Sequence, residues 1–127
     1  MKYILNIVFL LYLNCYSQIS EYKYFYYPSG SVSGEGLIVE GKPDGYWKNY
    51  YENGKLKSFG KRTDFKLDSI WNFYDVNGRI ISCINYFENQ KNGYSYSYVY
   101  EIQGDSVLKQ LISKELFLNG KKEGLSF

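Results

Sequence analysis

Histidine is absent from the 127 residues, so a mechanism built on a Ser-His, Cys-His or His-metal arrangement has nothing to run on. Cys83 is the thiol that could serve as a nucleophile or an intermolecular disulfide partner. It stands between Ser82 and Ile84 in an apolar run with no base beside it in sequence, and reads as a small buried residue. The carboxylates Asp44, Glu52, Asp64, Asp68 and Asp75 fall in or near turns. Two acids at the right separation hydrolyse glycosides, but turn solvation accounts for these five, and Asp64, Asp68 and Asp75 lack the spacing of a calcium loop. No catalytic residue, cofactor site or metal site is assigned, and the chain is expected not to be an enzyme.

The remaining chemistry is aromatic, with 16 Tyr, 8 Phe and 2 Trp. The run Tyr94-Ser95-Tyr96-Ser97-Tyr98-Val99-Tyr100 alternates strictly, which puts Tyr94, Tyr96, Tyr98 and Tyr100 on one face of a strand. Such a ladder either packs on its neighbours with its hydroxyls at the edge or forms an amphipathic contact surface for a partner chain or glycan. Trp47 and Trp71 could stack on sugars, bases or cations. Their spacing of 24 residues favours packing, because a position that returns once per unit behaves as core. The same holds for Tyr26, Tyr50, Tyr74 and Tyr100. Lys61-Arg62 and Lys121-Lys122 are short basic pairs offset by nearby acids and read as solvated turns.

The elements that must position these side chains follow a repeat. Gly30, Gly54 and Gly78 are 24 residues apart and Gly104 follows after 26, each with a tyrosine four places earlier. A period in this range marks an array whose units bury their faces against one another. Asn53-Gly54, Asn77-Gly78, Asn92-Gly93 and Asn119-Gly120 supply the positive φ of tight turns between aromatic and β-branched runs, which predicts β-hairpins. The sequence therefore predicts an all-β, elongated antiparallel hairpin array of about four units, near 26–49, 50–73, 74–99 and 100–127. Residues 107–118 admit a short amphipathic helix, but the register of the earlier units favours a strand.

Residues 1–17 stand apart. Met1-Lys2 followed by the apolar run Tyr3 to Leu13 is too short to span a bilayer and suits a cleavable export signal, with 18–25 as a lead-in to the repeats. Lipidation of Cys15 would instead tether the chain to a membrane, although Asn14 is a poor residue before such a cysteine. Without this segment the formal net charge is +1 and Cys83 is the one cysteine left, so no phosphate backbone is attracted and no internal disulfide forms. About 110 residues bury roughly 65% of their unfolded surface, enough for a core to supply the stability.

The stretch from Gly41 through Gly45, Trp47, Tyr50-Tyr51 and Asn53-Gly54 to Leu56 resembles the bacterial MORN-repeat variant, whose units read roughly G-x-x-x-G-x-W-x-x-Y-Y-x-x-N-G-x-L. The next unit keeps Trp71, Phe73, Tyr74, Asn77, Gly78 and Ile80 but has Phe65 and Ser69 in place of the two leading glycines. A third has Asn89 and Gly93 there with Ser95 in the tryptophan place, and Gly120 and Gly124 restore the pair. The resemblance implies a stack of hairpins that serves as a scaffold or as a protein- or lipid-contacting module; some members are labelled antitoxin-like, a cytoplasmic role at odds with export. The expected function is an exported, non-catalytic interaction module in the periplasm, cell envelope or medium. Its partner would be another protein or an envelope component. The alternatives are a carbohydrate-directed binder or weak hydrolase and an antitoxin- or immunity-like protein.

Overall fold

The computed structural model describes residues 17–124; the proposed export signal and Cys15 lie essentially outside them, as do residues 125–127. Among the described residues there are nine strands and no helix. They are β1 (Ser20–Tyr26), β2 (Val32–Val39), β3 (Lys42–Tyr50), β4 (Leu56–Thr63), β5 (Lys66–Tyr74), β6 (Ile80–Phe87), β7 (Gln90–Gln103), β8 (Ser106–Leu118) and β9 (Lys121–Glu123). All nine form one antiparallel sheet in chain order, as the hairpin array requires. Residues 107–118 are strand.

Two kinds of connection alternate. On one side, five-residue loops run Tyr27–Ser31, Tyr51–Lys55 and Asp75–Arg79, each closed by a hydrogen bond between its ends and turned by Gly30, Gly54 or Gly78 at positive φ. On the other, two-residue turns place both central residues at positive φ, as a type I′ hairpin demands: Glu40-Gly41, Asp64-Phe65, Glu88-Asn89 and Asn119-Gly120. Each side is laddered to the next unit. Tyr27 Oη donates to the Tyr50 carbonyl at 2.6 Å and Tyr51 Oη to that of Tyr74 at 2.7 Å. Across the sheet the amide of Phe65 donates to Pro43, and 24 residues later that of Asn89 donates to Leu67.

Two of the expected glycine turns need correction. Asn92-Gly93 is not a turn: both residues lie within β7, where Gly93, at φ 95°, forms a bulge against β6. Gly93 has the positive φ expected of the pair and Asn92 does not, because a bulge needs that conformation at one residue where a type I′ turn needs it at two. Gly104 is not the counterpart of Gly30, Gly54 and Gly78 either. It opens a two-residue turn with Asp105, and positive φ at the first position alone makes this type II′.

What recurs in the turns is conformation more than glycine. The bulge position repeats as Gly45 (φ 69°), Ser69 (58°) and Gly93 (95°), and the turn position as Gly41 (80°), Phe65 (59°) and Asn89 (69°). Ser69 and Phe65 thus adopt the left-handed backbone that the motif reserves for glycine, a cost that surrounding pairing must offset.

One face carries the packing. A row crosses the sheet as Gly36, Trp47 and Gly60, continues at Trp71, Ile84 and Ser95, and ends on Glu115. Any side chain on Gly36 would collide with the Trp47 indole, and any on Gly60 with that of Trp71. Large rings therefore lie on bare backbone, and Trp47 and Trp71 keep only 7% and 2% of their surface exposed. Each removes about 200 Å² of aromatic surface from water, on the order of 5 kcal/mol before ordering costs. The bulges let the indole nitrogens reach acceptors: Trp47 Nε1 donates to the carbonyls of Leu37 and Asp44 at 3.2 Å, and Trp71 Nε1 to Lys61 at 2.9 Å. Phe25 leans on Trp47 with centroids 5.9 Å apart, while Phe73 and the Arg62 guanidinium flank Trp71. In the third unit, Ile84 stands where glycine did and Ser95 takes the tryptophan place, buried.

β7 and β8 outrun their neighbours. β6 pairs with β7 only as far as Ser97, and β9 covers only Leu116–Leu118, so Tyr98–Gln103 and Ser106–Leu111 continue as a two-stranded arm. The outer edge of β8 carries Lys109, Lys114 and a bulge at Ile112, devices that discourage strand addition.

Candidate functional site

Strand alternation separates the tryptophans from the tyrosine ladder. Residues of odd and even position within a strand face opposite sides. Trp47 and Trp71 face one side, and Tyr94 and Tyr96 the other. The central row of this second face reads Tyr24, Glu35, Lys48, Phe59, Asn72, Cys83, Tyr96 and Lys114, one from each of β1 to β8 in turn. Around it stand Tyr22, Tyr46, Ile70 and Tyr94, all exposed, with Tyr46 retaining 64% of its surface. The Tyr46 ring stacks on Phe59 at 5.5 Å and 16°, so it is held while remaining open to solvent.

The expected contact residues divide between sheet and arm. Tyr94 and Tyr96 lie in the sheet, 6.2 Å apart, beside a shallow pocket shared with Ile70 and Cys83. Tyr98 and Tyr100 lie on the arm. Tyr100 Oη donates to the Ile80 carbonyl at 2.9 Å and carries the Arg79 guanidinium on its ring, which ties the arm to the loop edge. Lysines roof this ladder: Lys109 Nζ stands 3.8 Å from the centroid of Tyr98, and Lys114 Nζ 4.5 Å from that of Tyr94. A ring already capped by an ammonium is a poor platform for a sugar, which weighs against stacking of glycans there.

The repeat tyrosines are not equivalent. Tyr50 is half-buried and donates to Glu35 Oε1 at 2.6 Å, whereas Tyr26, expected to pack, is exposed on β1. Burial, then the Glu35 hydrogen bond and charge, push the Tyr50 hydroxyl well above its ordinary range. Tyr22 is raised as well, by desolvation first and the Glu35 charge second.

The sequence-nominated carboxylates all have local partners, Asp44 and Asp68 within strands β3 and β5 and the other three in turns. Asp75 Oδ1 accepts the amides of Asn77 and Arg79 at 2.9 Å, Asp44 Oδ1 accepts that of Gly45, and Asp68 Oδ2 accepts the Thr63 hydroxyl. Asp64 pairs with Lys42 at 3.2 Å, and Glu52 accepts from Ser29 at 3.4 Å. Burial pushes the Cys83 thiol up, away from the reactive thiolate, with Lys109 opposing more weakly.

Sequence reasoning passed over Glu35, Gly36, Gly60 and Tyr27, and named Tyr51 only as part of the repeat motif, without its hydrogen bond to the next unit. Gly36 and Gly60 are themselves 24 residues apart and each lies 11 before its tryptophan, a signal present in the sequence. Glu35 has no such mark. Its importance comes from pairing, since β2 brings it between Tyr24 of β1 and Lys48 of β3. In comparisons with family models, curated proteins and solved structures, the chain matches none.

Proposed function

We propose that the chain is an exported, non-catalytic β-repeat module of the MORN-like kind, which binds another protein or a cell-envelope component through its tyrosine-bearing face. One observation carries this reading: the two faces are unequal. Trp47 and Trp71 are spent on packing, while Tyr22, Tyr24, Tyr46, Ile70 and Tyr94 stay exposed together on the opposite side. Exposed aromatic patches of this kind mark interaction sites, and tyrosine suits them because its ring is apolar and its hydroxyl tolerates water.

The experiment is affinity capture from an envelope fraction with wild-type protein and two variants. Tyr46→Ala with Tyr94→Ala should release a specific partner, while Lys23→Ala on the tryptophan face should retain it. Equal retention by both variants, or no specific partner for the wild type, overturns the proposal.

A further inference from the structure

The Glu35 carboxylate is the acidic member of the central row on the tyrosine face, and its surroundings suit a cation. Its side chain is only 13% exposed. Tyr24 is its cross-strand neighbour on β1, and Tyr22 meets Tyr24 edge to face with centroids 5.4 Å apart. Tyr50 donates to Oε1 from the other side. On the Tyr50 side lies an open pocket of about 320 Å³, lined by Val32, Glu35, Tyr50 and Gly54. Aromatic walls around a carboxylate are the chemistry that holds an ammonium group, through charge and through the ring faces.

The chain supplies one ammonium itself. Lys48 Nζ sits 3.6 Å from Glu35 Oε1, longer than a charge-assisted hydrogen bond, and its side chain remains 46% exposed. Lys48 and Tyr50 both address Oε1, which leaves acceptor capacity on Oε2. A pair this long, with its ammonium partner half exposed, is readily exchanged. Building on the proposed contact face, we propose that Glu35, with Tyr22, Tyr24 and Tyr50, receives a lysine side chain of the protein partner, and that Lys48 holds its place in the free protein.

The test uses tri-lysine peptide as probe and tri-glutamate as control, followed through the ring signals of the tyrosines by NMR. Tri-lysine should shift Tyr22, Tyr24 and Tyr50, and tri-glutamate should not. Glu35→Gln, which keeps the size and an acceptor, should weaken binding about tenfold, near 1.4 kcal/mol. Lys48→Met, which vacates the carboxylate, should tighten it at least about threefold. Equal affinity for wild type and Glu35→Gln, no gain in Lys48→Met, or shifts confined to other residues would overturn the site. Partner capture that survives Glu35→Gln but fails with Tyr46→Ala and Tyr94→Ala would sink the ammonium site while leaving the face reading intact. Capture indifferent to the tyrosine pair would sink the face reading itself.

Discussion

The indole of Trp71 lies on Gly60, so closely that even a methyl group at that glycine would overlap the ring. The contact fixes both residues at once. Gly60→Ala should destabilise the fold by about 2–3 kcal/mol through overpacking, and Trp71→Ala by about 3–5 kcal/mol through the cavity and lost burial. Urea denaturation followed by circular dichroism measures both; a change below about 0.5 kcal/mol in Gly60→Ala would be what a surface glycine gives.

Ile84 and Ser95 occupy the corresponding places in the third unit, with the bulk moved from one strand to the other. The same exchange should therefore work one unit earlier. Gly60→Ile and Trp71→Ser should each be strongly destabilising, and the double variant should lose less than their sum by at least about 1 kcal/mol. Strict additivity in the denaturation midpoints would mean that the two positions do not share one space.

Ser69 sits at φ 58° in the bulge position that Gly45 and Gly93 fill in adjacent units. Ser69→Gly should remove left-handed strain and raise stability by about 0.5–1 kcal/mol, after allowance for glycine's greater freedom in the unfolded chain. A thermal midpoint that falls would show that the Ser69 side chain contributes more than its backbone costs.

These positions also mark what the sequence could and could not tell. The 24-residue beat and the Asn-Gly pairs suffice for an array of hairpins, because turn chemistry is local. Asn92-Gly93 misled because the same local conformation serves a bulge, and only the pairing of β6 with β7 distinguishes the two. Phe65 and Ser69 were invisible as left-handed residues because neither is of a type that prefers that region; the hydrogen bond from Phe65 to Pro43 and the bulge around Ser69 impose it. Tyr94 and Tyr96 were legible as one face from alternation alone. Glu35 was not, since nothing in a linear reading puts it between Tyr24 and Lys48.

Alkaline pH should weaken the fold. Burial raises Cys83 above its ordinary 9.0 and burial with Glu35 raises Tyr50 above its ordinary 10.0, so the folded state favours both neutral forms. For groups raised on folding, the contribution is whole below the ordinary value and is lost as pH climbs toward the folded one. The urea midpoint should thus hold steady from about pH 6 to 8 and fall above about pH 9. Tyr50→Phe should make the decline shallower, and an unchanged slope would remove Tyr50 from the explanation.

The division of labour between the two faces is open to one direct measurement: attenuation of side-chain NMR signals by a soluble paramagnetic agent. The rings of Tyr22, Tyr24, Tyr46 and Tyr94 should be strongly attenuated while the indole signals of Trp47 and Trp71 persist. Attenuation of the indoles to the same degree, or protection of the four tyrosines in the free protein, would contradict the assignment of one face to packing and the other to contact.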